Sequence, residues 1–181
     1  MRGGGGPLAI GYVSRTVSYP TIYHCFTLKV DPGFTAGGNA GVKWGFSWTP
    51  ESGKAKSSYY LNLFQGSTGR MGLNIESAGG ILNRNTRTRF SWFDHMGEWH
   101  QFEVLSVANT QGMANGIIRY WVDGVLDYEH RNVKFFLDEA TARGWNRFTV
   151  TGTYGGGIKP VPATLTAWLD HYRISGAETR R

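Results

Sequence analysis

The chain has 181 residues, 26 of them glycine, with 14% aromatic residues, one cysteine and a formal charge of +6. A single cysteine excludes an internal disulfide framework, and no stretch is long and apolar enough to cross a bilayer as a helix, so membrane insertion is not expected. The positive balance favours anionic partners such as an acidic polysaccharide, a phosphate polymer or an acidic neighbouring subunit. No RNP, zinc-finger or helix-turn-helix pattern is present, nor a basic amphipathic helix, so nucleic acid is not expected as a partner.

The opening "MRGGGGPLAIGY" lacks the apolar core of a secretory signal. The expected location is inside a cell or particle, or a virion surface or extracellular space if a leader has been removed. Residues 1–20 read as a Gly-rich arm that packs against a neighbouring subunit, 21–176 as one domain and 177–181 as a basic tail. Strand signals then recur at short intervals. "TIYHCFTLKV" (21–30) alternates, with Ile22, His24, Phe26 and Leu28 on one side and Tyr23, Cys25, Thr27 and Lys29 on the other. Cys25 reads as a small apolar strand residue. "DPGF" (31–34) supplies a turn, "VKWGFSW" (42–48) a second strand and "PESGKAKSS" (50–58) a polar loop. "YYLNLFQG" (59–66) and "RMGLNIES" (70–77) read as a hairpin across "GSTG", and "ILNRNTRTRFSWF" (81–93) as a further strand.

"EWHQFEVLSVA" (98–108) and the loop "NTQGMANG" lead to "GIIRYWVDGVLDYEHRNVKF" (116–135). Here Asp123-Gly124 predicts a two-residue type I′ loop, with Val122 facing Val125 and Trp121 facing Leu126. "LDEATARG" (137–144) is the one plausible helical turn, and "NRFTVTGTY" (146–154) and "ATLTAWLDHYRIS" (163–175) complete the strands. Roughly ten to twelve strands with almost no helix predict an all-β fold: two antiparallel sheets packed as a jelly-roll β-sandwich. No repeat of propeller or solenoid length is visible.

"GEWHQFEV…NTQGMANGIIRYWVDGVL" resembles the signature of concanavalin A-like lectin/glucanase sandwiches. The ordered set "LKVDPGF", "GVKWGF", "TYGGG" and "AWLDHYRIS" is similar to polysaccharide-lyase-like jelly rolls of the alginate- and glucuronan-lyase type, over about residues 21–176. That resemblance implies a concave sheet on which one group neutralises a uronate carboxylate while a base removes the C5 proton. For a lyase it points to Tyr154, with His24 and Lys43, and it places Gln65 and Arg70 in the same cleft. Neither a Gln-Ile/Val-His strand nor a Tyr-x-Lys-x-Gly-x-Tyr strand is present, and the paired carboxylates of the retaining hydrolases are missing. The expected function is therefore a non-catalytic carbohydrate-binding or surface-decorating jelly roll, part of a larger assembly such as a phage virion. The alternatives are a β-eliminating lyase of an acidic uronate polymer and a purely structural assembly protein.

The expected glycan-binding set is Trp44, Gln65, Arg70, Arg87, Arg89 and Trp92, facing an acidic or neutral glycan. Trp44, Trp48 and Trp92 flank glycine or polar residues and suit stacking on sugar rings, whereas Trp99, Trp121 and Trp168 are expected in the core. Arg87 and Arg89 share one strand face, where guanidinium forks suit carboxylate or sulfate; the competing reading is a charged guard on a sheet edge. His100 reads as a packed or surface strand residue. No cofactor is expected; the alternative is calcium through Asp170, a single carboxylate where the ion needs six or more oxygens.

Overall fold

The computed structural model describes residues 11–35, 41–48, 57–65, 69–77, 80–82, 88–140, 143–150, 153–155 and 166–176. Its strands are β1 (Gly11–Tyr19), β2 (Thr21–Val30), β3 (Gly41–Trp48), β4 (Ser57–Gln65), β5 (Arg70–Ser77) and β6 (Gly80–Leu82). After a 3-10 turn (Trp92–Asp94) come β7 (His100–Val107), β8 (Gly116–Val122), β9 (Val125–Val133), β10 (Trp145–Val150), β11 (Thr153–Gly155) and β12 (Ala167–Ser175). A seven-stranded sheet runs β1-β10-β3-β4-β5-β6 with β11 paired to β3, and a five-stranded sheet runs β12-β2-β7-β8-β9. Every pairing is antiparallel. The predicted two-sheet sandwich is the fold observed.

Period-two alternation builds the core. Ile22, Phe26, Leu28 and Val30 of β2 are buried against Val42 and Trp44 of β3, Met71, Leu73 and Ile75 of β5, Phe102 and Val104 of β7, and Ile118 and Tyr120 of β8. Antiparallel sheets that bury one face and wet the other require this pattern. Polar contacts also cross between the layers: Tyr120 Oη donates to Met71 Sδ at 3.2 Å, and Ser47 Oγ lies 2.8 Å from His24 Nε2. The Asp123-Gly124 loop has φ of +49° and +77°, with Val122 opposite Val125 and Trp121 opposite Leu126, as its sequence predicts.

Four expectations need correction. The arm expected over 1–20 becomes, from Gly11, the edge strand β1 on β10; residues 1–10 and 177–181 lie outside the described residues. The strand expected over 81–93 stops at Leu82 in what is described, and Trp92–Asp94 is a 3-10 turn. That turn starts where Trp92 N–H donates to Gly69 C=O at 2.9 Å, so a contact with distant residues overrides the local β propensity. Leu137–Ala140 makes one turn, closed by Ala140 N–H on Leu137 C=O at 3.1 Å, and no α-helix forms among the described residues. Finally, Trp99 and Trp168 are not core: they are 47% and 41% exposed on the outer face of the five-stranded sheet, flanking the Lys29 ammonium. Trp168 pairs with Lys29, whose neighbours Leu28 and Val30 take the core side. Trp121 is buried, but in a small outer cluster with Tyr23 and Leu105 rather than between the sheets.

Candidate functional site

The side of the seven-stranded sheet that faces away from the core carries Lys43, Arg70 and Arg147. On β3, Val42 and Trp44 are buried, which leaves Lys43 between them on the outer side. On β5, Met71, Leu73 and Ile75 are buried, so exposed Arg70 and half-buried Asn74 take the same outer side. On β10, Phe148 is buried and the half-buried Arg147 before it faces outward. The ladders align these positions in rows across the sheet, because directly paired residues share a face. Gly41, Gln65 and Arg70 form one row; Thr153, Lys43, Asn62 and Gly72 the next; Thr149, Phe46, Tyr60 and Asn74 a third; and Arg147, Trp48, Ser58 and Glu76 a fourth.

Rows lie about 7 Å apart along the strands, and β10 to β5 spans about 14 Å. Three cationic positions and an amide thus occupy a patch the size of a short oligosaccharide. Arg147 Nε is buried without a hydrogen-bond partner. A charged donor left in that state is costly. The 370 Å³ cleft lined by Tyr19, Ile22, Phe148, Tyr172 and Ile174 has no charged side chain in its described lining and is a poor match for an acidic polymer.

The structure separates the residues expected to act together. Lys43 and Arg70 lie on the outer face, and Gln65 pairs there by register with Gly41 and Arg70. His24, expected beside them, is instead 6% exposed between the sheets, with Nδ1 3.1 Å from Tyr172 Oη. Burial lowers its pKa from 6.5 to about 3. This imidazole is a packed neutral ring, because β2 alternation places it with Ile22 and Phe26. Tyr154 pairs with Val42 while Thr153 pairs with Lys43, so position 154 shares a register row with the core residue and not with the lysine. Trp44 and Trp92, expected to stack on sugar, are buried in the inter-sheet core. Trp44 follows the alternation of β3, and Trp92 is enclosed by Phe90, His100 and Phe102.

Arg89 is exposed, and its backbone N–H donates to both Asp127 carboxylate oxygens at 2.9 and 3.1 Å, which places it beside β9 rather than with Lys43. Arg87 lies outside the described residues. Asp170 accepts from the His171 backbone N–H at 2.7 Å and has His171 Nδ1 at 3.1 Å, an exposed local pair. Sequence reading missed Asn74 and Arg147. For Asn74 the signal was present, since it sits between the inward-facing apolar Leu73 and Ile75 of an alternating strand; Arg147 has polar Asn146 before it and only Phe148 as an inward-facing apolar neighbour.

No family profile and no curated relative matches the sequence. Solved structures match along most of its length. An alginate lyase in complex with an alginate trisaccharide superposes with a TM-score of 0.70 at 11% identity, covering 94% of this chain and 78% of that one. An alginate lyase from a Chlorella virus gives 0.66 at 12% identity, over 88% of this chain and 72% of that one. The endo-β-1,4-glucuronan lyase of the fungus Trichoderma reesei gives 0.56 at 14% identity, over 96% and 76%. Sheet order, register and these superpositions agree: the chain has the concanavalin A-like jelly-roll fold that alginate and glucuronan lyases also adopt.

Proposed function

We propose that the outer face of the seven-stranded sheet binds an acidic polysaccharide. The observation that carries this reading is the convergence of Lys43, Arg70, Asn74 and Arg147 on one sheet face, with a buried guanidinium nitrogen lacking a partner. Cations engage the carboxylates of successive uronate residues, and the asparagine matches their hydroxyls. A chain lying across strands spaced about 4.8 Å meets one strand for roughly each sugar ring. Binding of this kind weakens with salt, because exposed charge pairs are screened.

A second reading is cleavage by β-elimination, and the specific observation favouring it is the likeness to structures of alginate and glucuronan lyases. In that chemistry Lys43 or Arg70 neutralises the carboxylate and a base takes the C5 proton. Burial of His24 and the register of Tyr154 with Val42 favour binding over cleavage.

One experiment separates the two. The protein is incubated with alginate and with glucuronan while the ultraviolet absorbance of the unsaturated product and retention of the polymer are both followed. Retention without new absorbance, lost in Lys43→Ala, is the expected result. Turnover abolished by Lys43→Ala or Tyr154→Phe replaces binding with the lyase reading. Absence of both retention and turnover rejects the site.

A further inference from the structure

A separate cluster lies where the 3-10 turn enters the five-stranded sheet. His95, Glu98 and His100 each offer one ligand atom, and these atoms lie within 4.8 Å of one another. The local sequence builds the arrangement. Glu98 N–H donates to His95 C=O at 3.3 Å, and Gly97 has φ +85°, the value required at the third position of a type II turn. Gly97 N–H also donates to Val30 C=O at 2.9 Å, which pins the turn to the end of β2. The turn sets His95 and Glu98 side by side, and two residues later β7 begins with His100.

Glu98 Oε2 lies 3.5 Å from His95 Nδ1 and 3.5 Å from His100 Nε2. Two ligand atoms about 2.0–2.1 Å from one tetrahedral ion lie about 3.3–3.4 Å apart, so the spacing already approaches that of a coordinated set. These separations are too long for hydrogen bonds.

The second observation concerns His100. Its side chain is 11% exposed, and Nδ1 lies 2.7 Å from Asp123 Oδ2. A carboxylate only accepts, so Nδ1 carries a proton, and in the neutral ring the lone pair is then on Nε2. Asp123 is itself fixed, accepting on Oδ1 from Gln101 N–H at 2.8 Å. His100 Nε2 is buried and without a hydrogen-bond partner. A carboxylate behind an imidazole whose other nitrogen is left bare is the arrangement that orients histidine toward a metal. Phe90 packs flat on His95 at 5.0 Å and edge-on to His100 at 4.9 Å, which holds both rings and excludes water from one side.

We infer that His95 Nδ1, Glu98 Oε2 and His100 Nε2 form a site for one zinc-type divalent ion, with water as fourth ligand and Asp123 orienting His100. Two imidazoles and one carboxylate suit zinc; calcium and magnesium prefer all-oxygen sets. The ion ties the 95–98 turn to β7 and, through Asp123, to the β8–β9 hairpin.

The test uses untagged full-length protein, stripped with a chelator and titrated with zinc chloride alone. The expected result is one equivalent bound, a raised Tm, and loss of affinity by about tenfold or more in His95→Ala and in Glu98→Gln. Asp123→Asn keeps an Asn-Gly loop that suits the type I′ turn, and it lowers affinity by about 10–100-fold. X-ray absorption of the zinc-loaded protein shows two imidazole ligands. Absence of zinc binding overturns the inference, as does binding that the His95 and Glu98 substitutions leave unchanged or calcium binding in place of zinc.

Discussion

His24 accepts or donates through both ring nitrogens inside the sandwich, to Ser47 and to Tyr172, and burial holds its pKa near 3. The unfolded chain binds a proton on this residue near its ordinary value of about 6.5. Between those two values the unfolded state carries more protons than the folded one, so stability falls as pH drops below 6.5 and is unaffected above it. The slope approaches about 1.4 kcal/mol per pH unit, which amounts to about 2 kcal/mol lost by pH 5. Urea unfolding from pH 7 to pH 5 should show that loss, and His24→Phe should flatten it; an equally steep fall in the variant would remove His24 as the cause. The side of β2 on which this histidine lies was readable from alternation, since Ile22, Phe26 and Leu28 share its parity. Which layer a residue faces was less readable. Trp168 lies in β12 and Trp99 directly precedes β7, yet both flank Lys29 in solvent, because parity fixes a side of the strand and only sheet pairing decides whether that side is covered.

At the scale of elements, local chemistry was legible and long-range closure was not. Asp123-Gly124 fixes its own turn through backbone preferences, so the hairpin register follows from four residues. The 88–98 segment instead takes its shape from partners far along the chain: Thr88 Oγ1 donates to Met71 C=O, Ser91 bridges Arg70, and Trp92 N–H reaches Gly69. No window of sequence contains those contacts. Asn109 does similar work at the other end of β7. Its Nδ2 donates to the carbonyls of Thr110, Met113 and Phe136, and its Oδ1 accepts from Phe136 N–H at 2.8 Å. The side chain is 2% exposed, so Asn109→Ala leaves buried backbone groups without partners. The expected cost is about 2–3 kcal/mol, read as a lower urea midpoint with unchanged slope. A midpoint within error of the wild type would show that water replaces the amide.

At the scale of the whole molecule, three of the 19 lysines and arginines, Lys43, Arg70 and Arg147, share the outer face of one sheet. The sequence reading reached Lys43, Arg70 and Gln65 but grouped them with His24, Trp44 and Trp92, which the sandwich buries. Candidate chemistry was therefore visible in residue types, while the face that gathers it required the order of β10, β3, β4 and β5. Because these cations act through charge, doubling the ionic strength should weaken polymer binding far more than it changes Tm.

The most direct test of the account is calorimetric titration with an oligouronate and with its neutral counterpart, for the wild type, Lys43→Ala and Arg70→Ala. The account predicts binding of the acidic oligomer alone, and each substitution should lower affinity by about tenfold or more, the loss of one charge-assisted contact of about 1.5–3 kcal/mol. Equal affinity for the neutral oligomer, or an acidic titration that both variants reproduce unchanged, would contradict it.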